Sequence, residues 1–356
     1  MMNLYAIILA GGKGTRFWPK SLPERPKQLL PILSEQTMLE ETISRVSPCI
    51  PPERVIVVTS QDLVPEVTPL VNPQTTVLAE PLGRNSAPAI AFATAYLLAV
   101  NPDAVMAVLP ADHYIAQPKP FLSALQIAAA TASRDNMLVT FGIPPTRPET
   151  GYGYIQVGET IDIQNGVTVA KADQFHEKPD LQTAHSFLRH GNFRWNSGMF
   201  VWSVATIAQA FEIYLPEMYA LMRELSTAIH TKDEPAAILH FFQAVESISI
   251  DYGIMEKAQN VAVVSGDFHW DDVGSWASLE RVYEKDAHGN VRHGDCHTLD
   301  VKRSVLYADQ GQIAAIGISD LIVVRTDDIT LVCPKDRAQD VKRLLENIEK
   351  ESENEN

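Results

Sequence analysis

The chain opens on a short apolar run at residues 4–10, and similar runs rich in β-branched residues recur at 55–59, 105–109 and 137–141. Runs this short and this uniformly apolar predict strands buried on both faces. Between them the pattern shifts to helical period. Thr37 and Glu40 have capping-box spacing, and Leu39, Ile43 and Val46 then fall on one face of a helix. Residues 88–100 and 121–132 read as further crossover helices. Strands alternating with helices in this way predict a doubly wound α/β domain with a mostly parallel sheet, and such sheets bind ligands at the carboxyl ends of their strands.

Past Gly142 the pattern loosens. Pro144, Pro145 and Pro148 lead into the turn Gly151-Tyr152-Gly153-Tyr154, after which strands at 154–157, 167–176 and 199–202 mix with helices at 184–190 and 205–214. After about residue 286 short strand-like runs at 304–307, 313–316, 321–324 and 329–332 follow one another about every eight residues. The organisation expected is therefore one domain over 1–285, with a first half at about 1–145 and a second at about 146–285. A small β appendix over 286–356 follows, closed by a charged C-terminal helix.

Composition narrows the function classes. A formal charge of −15 over 356 residues gives no basic face for nucleic acid or anionic lipid, so a bound polyphosphate has to be met by a local cluster of cations or by metal. Cys49, Cys296 and Cys333 are odd in number and far apart, as expected of free thiols in a reducing compartment. The first apolar run lacks a basic flank and is too short to cross a bilayer, so it reads as a strand and the protein is expected in the cytoplasm, away from membranes.

The segment Leu9-Ala10-Gly11-Gly12-Lys13-Gly14-Thr15-Arg16-Phe17-Trp18-Pro19 directly follows the first strand. Its glycines let backbone N–H groups approach a phosphate, and Lys13 and Arg16 add charge. It is not a P-loop, because Gly14 stands where Ser or Thr should follow the lysine, and Phe17 replaces the third glycine of the dinucleotide fingerprint. A generic strand-to-helix turn would also account for it. Lys27 follows within Arg25-Pro26-Lys27-Gln28-Leu29-Leu30-Pro31, held between prolines.

With this pairing the chain resembles the sugar-nucleotide pyrophosphorylases, and within them the mannose-1-phosphate guanylyltransferases, over about residues 4–283. The resemblance extends through Glu80-Pro81-Leu82-Gly83-Arg84-Asn85-Ser86-Ala87-Pro88, Leu109-Pro110-Ala111-Asp112-His113, residues 150–155, Phe175-His176-Glu177-Lys178-Pro179, Trp195-Asn196-Ser197-Gly198, residues 249–257 and Trp270-Asp271-Asp272-Val273-Gly274. Ser86 stands where the family more often has threonine, and keeps the hydroxyl. Longer relatives carry a fused isomerase domain, and this chain is expected to be the short form without it.

The resemblance implies a nucleotide-diphospho-sugar transferase fold and a reaction in which mannose 1-phosphate attacks GTP, yielding GDP-mannose and pyrophosphate. It implies Arg16, Lys27 and Asp112 in catalysis. Leu9, Gly11, Gly12, Gly14, Thr15, Arg16, Glu80, Arg84, Asn85 and Asp112 would lie against the nucleotide, and Gly153, Glu177, Lys178, Asn196, Asp251 and Lys257 against the sugar phosphate. Mg²⁺ would be held by Asp112 and Asp272, with Asp271 as the alternative neighbour.

Each assignment has a physical side. A carboxylate just after a buried strand suits Mg²⁺ on a polyphosphate, although Asp112 could equally serve a turn. Guanine offers N–H donors at N1 and N2, which a carboxylate such as Glu80 can accept, although Glu80 could instead pair with Arg84 while Asn85 caps a helix. Glu177 and Lys178 could form a surface ion pair without any ligand. Tyr152, Trp195 or Met199 would supply apolar backing for a sugar.

A phosphate monoester is already charged at neutral pH, so the acceptor needs no general base, and direct displacement is expected over a covalent histidine intermediate at His113, His176 or His269. Alternatives are a sibling enzyme with another sugar phosphate or base, a silent GDP-mannose-binding regulator, or a sugar-binding or assembly module using the β appendix. The exposed edges of the late strands suggest a homodimer contact.

Overall fold

The computed structural model describes residues 3–12 and 14–354, so the charge expected from Lys13 lies outside the described residues. Two compact units emerge. The larger comprises Met1–Gly11, Thr42–Ala111 and Ile115–Trp270, and the smaller Gly12–Glu41, Asp112–Tyr114 and Asp271–Asn356.

The larger unit is built on nine strands: β1 (Leu4–Leu9), β2 (Val55–Ser60), β3 (Thr76–Glu80), β4 (Val105–Pro110), β5 (Leu138–Ile143), β6 (Tyr154–Gln164), β7 (Val167–His176), β8 (Phe193–Ser203) and β9 (Val261–Ser265). They form one sheet in the order β3-β2-β1-β4-β8-β5-β9-β7-β6. The first four are parallel throughout, as is the β5–β9 pair. β8 lies antiparallel to both β4 and β5. The sequence runs at 4–9, 55–59 and 105–109 match β1, β2 and β4 closely because these central strands are buried on both faces and so read as continuous apolar stretches.

The helix Ser86–Val100 packs against this sheet with ten of its residues buried, which is why it reads as apolar all round and not as a striped surface helix. Its Phe92 shares a buried cluster with Trp202, Phe211 and Phe242. Helices Val204–Tyr214, Pro216–Ala228 and Glu234–Ala244 complete the layer.

In the smaller unit the late strands form a four-stranded sheet, β10 (Val291–Leu299), β11 (Val305–Ile316), β12 (Leu321–Arg325) and β13 (Thr330–Pro334), in that order. β10, β11 and β12 run parallel and β13 antiparallel to β12. The runs at 304–307 and 313–316, expected as two strands, are the ends of one long strand, β11: β10 pairs with both ends across a register shift at its polar middle, and β12 pairs with 305–308 alone. The signature segment packs into this sheet's core: Phe17, Trp18, Leu30 and Ile32 share one buried cluster with Trp276, Val291, Tyr307 and Ile322. The capping box at the next helix, Met38–Val46, forms as the spacing predicts, with the Thr37 N–H donating to Glu40 Oε2 at 2.9 Å and the Glu40 N–H to Thr37 Oγ1 at 3.2 Å. No helix among the described residues is long and apolar enough to cross a membrane.

Candidate functional site

Two polar clusters emerge, one in each unit. In the smaller unit the glycine turn is clamped by the lysine segment. Gly14 adopts φ 57°, and a Cβ on it would fall 2.5 Å from Lys27 Cβ and 2.6 Å from Lys27 N, so both conformation and space demand glycine there. Gln28 donates to the Gly12 carbonyl at 2.8 Å and Ser21 Oγ to the Gly14 carbonyl at 2.9 Å. Thr15 and Arg16 follow in a 3₁₀ turn, Thr15–Phe17, and the exposed Arg16 guanidinium donates to Gln339 at 3.2 Å.

Lys27 is buried, and its ammonium spends its three protons on the Asp112 carbonyl at 2.9 Å, Asp112 Oδ2 at 2.8 Å and the Asp272 carbonyl at 2.6 Å. Burial alone would push the Asp112 carboxyl up, but Lys27 and His113 outweigh it and hold the group below its usual range. Asp112 is therefore a carboxylate at any physiological pH. The two candidates at 271 and 272 separate clearly. Asp271 is buried and accepts from both Arg281 Nε and Arg281 Nη2 and from the Val273 N–H, whereas the Asp272 side chain retains 26% exposure with Oδ1 accepting from the Gly274 N–H at 3.2 Å. Val273, a β-branched residue at φ 47°, is held in that unusual conformation by complete burial beside Phe17 and Trp276.

Magnesium fits this donor set. The described residues contain no group of three or more His, Cys, Asp or Glu that could hold a metal, but Mg²⁺ usually takes one or two carboxylates and completes its shell with water and substrate phosphate. Asp112, ionised, and Asp272, partly exposed, offer those two hard oxygen ligands.

In the larger unit the residues expected to face nucleotide lie at strand ends. Leu9 ends β1, and its carbonyl accepts from the Ala111 N–H at 3.0 Å. A Cβ on Gly11 would meet Glu80 Oε2 at 2.7 Å, so this glycine admits a buried carboxylate against the backbone. With burial unrelieved by a cation, the Glu80 carboxyl rises to about 7. Arg84 Nε donates to the Phe242 carbonyl at 2.9 Å, and Asn85 N-caps the helix at Ser86, accepting its N–H at 2.8 Å.

The residues expected to face the sugar phosphate also gather in this unit. Gly153 pairs with Asn196, whose N–H donates to the Gly153 carbonyl at 2.8 Å, and a Cβ on Gly153 would fall 2.3 Å from Glu177 Oε2. The Asn196 amide is pinned: Oδ1 accepts from Thr140 Oγ1 and the Gly198 N–H, both at 3.2 Å, and Nδ2 donates to Asp251 Oδ1 at 2.7 Å. Burial first, and then the charge of Glu177, push the Asp251 carboxyl up to about 6. Lys178, at φ 46°, pairs with Glu177 at 3.1 Å.

Not every expected residue joins this group. The Tyr152 and Trp195 rings meet each other at 5.3 Å, with the Arg147 guanidinium over Trp195 at 4.8 Å. Lys257 lies past the turn and lines a separate cavity with Tyr214, Leu215 and Ile248. Thr140 and Ser86 are the polar residues that sequence reasoning left without a role. Ser86 carried a weak signal, as the one departure inside an otherwise regular motif.

Known proteins agree with this architecture. A nucleotidyl transferase family model matches residues 5–289, and a MannoseP isomerase/GMP-like beta-helix domain matches residues 294–348. The chain is 38% identical over 352 residues to a mannose-1-phosphate guanylyltransferase of Escherichia coli, covering 97% of this chain and 76% of that protein. It is 38% identical to xanthan biosynthesis protein XanB of Xanthomonas campestris pv. campestris (strain B100), covering 98% and 74%. The crystal structure of a protein described as mannose-1-phosphate geranyltransferase from Thermus thermophilus superposes with a TM-score of 0.89 at 37% identity, over 98% of this chain and all of that one. With matches of this length and identity added to the loop and lysine geometry, the chain belongs to the nucleotidyl transferase family and, within it, to the mannose-1-phosphate guanylyltransferases.

Proposed function

We propose that the protein transfers GMP from GTP to α-D-mannose 1-phosphate, releasing pyrophosphate and GDP-mannose. The observation that carries this reading is the buried ammonium of Lys27, locked against the Asp112 carboxylate beneath a glycine turn that also presents Arg16. A protein of net charge −15 has few reasons to build such a cluster other than to meet a polyphosphate.

The mannose 1-phosphate oxygen attacks the α-phosphorus in line, and the bond to the β,γ-pyrophosphate breaks. The acceptor phosphate loses its second proton near pH 6, so it arrives as a nucleophile and no side chain need act as base. The chain's residues position and neutralise. Lys27 and Arg16 meet phosphate charge, Glu80 accepts guanine N–H donors, and Glu177 and Asn196 hold sugar hydroxyls with Asp251 fixing the Asn196 amide. Asp112 and Asp272 would hold Mg²⁺, which supplies charge neutralisation on the polyphosphate when bound. Three free thiols fit a reducing cytoplasm, and the late strands are our candidate for a homodimer contact.

The test is product formation by the purified protein across a panel of nucleoside triphosphates and hexose 1-phosphates. GTP with mannose 1-phosphate should give the highest kcat/KM. Preference for another base or sugar would reassign the substrate, and GDP-mannose binding without any turnover would mark a regulator.

A further inference from the structure

Ser86 belongs by sequence to the nucleotide-facing motif, yet its hydroxyl points elsewhere: Oγ accepts the N–H of Ile250 at 2.9 Å. Ile250 is fully buried and directly precedes the π-helical turn Asp251–Met255, whose first side chain takes the Asn196 amide at 2.7 Å. A second stitch joins the same segments: the Ala87 N–H donates to the Ile248 carbonyl at 3.1 Å, while Arg84 Nε reaches the Phe242 carbonyl, in the helix Glu234–Ala244, at 2.9 Å. The first N–H groups of the helix Ser86–Val100 are thereby spent inside the protein: Ser86 on Asn85, Ala87 on Ile248, while Pro88 has none. That helix end is a fastening point for the 248–251 segment and not an anion cradle.

We infer that Ser86 is a positioning residue for the sugar-phosphate side of the reaction: through Ile250 it sets Asp251, and through Asp251 the orientation of the Asn196 amide. This rests on the reading of Glu177, Asn196 and Asp251 as the sugar-facing group. The hydroxyl is the only part of Ser86 this role needs, so threonine serves equally and alanine does not. Without the hydroxyl a buried N–H loses its acceptor at the start of a five-residue π turn, a conformation that depends on such outside contacts. The Ala87 to Ile248 bond remains to keep the segment near its place.

Ser86→Ala should raise KM for mannose 1-phosphate roughly three- to tenfold, the loss of one buried hydrogen bond, and leave GTP affinity measured by calorimetry unchanged. Ser86→Thr should restore the wild-type KM. Amide exchange gives a second readout that does not need turnover, since the Ile250 N–H should be protected in wild type and Ser86→Thr and exchange faster in Ser86→Ala. An equal loss of GTP and mannose 1-phosphate affinity in Ser86→Ala, or no change in KM and exchange, overturns the inference while wild-type turnover of mannose 1-phosphate stands. A wild-type enzyme that does not use mannose 1-phosphate overturns the parent reading instead, and this one with it.

Discussion

In the smaller unit one lysine ammonium sits among three oxygens and holds a carboxyl below its usual range, whereas in the larger unit burial, and then the charge of Glu177, push the Asp251 carboxyl beside the Asn196 amide up to about 6. Both clusters are half-buried and rich in carboxylate, so composition does not separate them. The presence of a buried cation does. With Lys27 beside it, the Asp112 carboxyl stays below its usual range. Without one, the second leaves Asp251 with a carboxyl raised to about 6, which makes this cluster, like Glu80, sensitive to pH.

Removing the cation should have the largest effect. Lys27→Ala is expected to lower kcat on the order of 10²–10³-fold with GTP and mannose 1-phosphate, because a contact that strengthens as charge shifts at the α-phosphorus is lost. Steady-state kinetics checks this, with circular dichroism to show that the fold is kept. Near-normal turnover would remove the distinction drawn between the two clusters.

The carboxylates of the same cluster come next. Asp112→Asn and Asp272→Asn should each raise the Mg²⁺ concentration needed for half-maximal activity, since an amide keeps shape but loses the charge that holds a hard cation. Asp271→Asn should behave differently and cost about 1–3 kcal/mol of stability by breaking the paired contact with Arg281. A magnesium titration beside a denaturation curve for all three variants separates the roles, and a magnesium phenotype confined to Asp271→Asn would reverse the assignment.

Glu80 sharpens the comparison from the nucleotide side. Its carboxyl, raised to about 7 by burial, gains a proton as the pH falls through neutrality, and a protonated group accepts guanine N–H donors poorly. GTP affinity should therefore weaken below pH 7, by up to about tenfold per unit, and Glu80→Gln should flatten that slope. The nucleotide's own phosphates titrate equally in both proteins, so the difference between their profiles isolates Glu80. Parallel profiles would exclude it as the group read by pH.

The smallest effect is thermodynamic. Asp251 has a folded value of about 6 against an ordinary 3.8, so the folded protein binds more protons than the unfolded one between those values. Stability from this group is full below about pH 4, falls as pH rises to 6, and stays low above. Asp251→Asn should consequently raise the melting temperature by a few degrees at pH 7.5 and by less at pH 4.5. An equal shift at both pH values would contradict the proton-holding account.

Much of this was visible in the sequence, and the exceptions have physical causes. The central strands β1, β2 and β4 announced themselves because burial on both faces leaves nothing polar in them. β10 did not, since Val-Arg-His-Gly-Asp-Cys-His-Thr-Leu presents mostly polar side chains and is a strand only because β11 pairs with it. The motifs brought Lys27 to Asp112 and Asn196 to Asp251, but a backbone carbonyl has no letter of its own. That is why the Asp272 carbonyl on Lys27 and the Ile250 N–H on Ser86 could not be read. The difference between Asp271 and Asp272 lies in Arg281, ten residues further on, which pairs through two nitrogens with Asp271 and which only the folded chain brings there.

Pyrophosphate exchange decides whether the acceptor phosphate attacks GTP directly, with the protein's charged groups positioning and no side chain carrying the nucleotide. In the rigorous absence of mannose 1-phosphate and GDP-mannose, labelled pyrophosphate should not enter GTP. Addition of GDP-mannose should start incorporation at once, because the reverse reaction then regenerates GTP. Rapid exchange by the enzyme and GTP alone, with guanylate trapped on His113, His176 or His269 after denaturation, would contradict direct transfer and make one of those histidines the nucleophile.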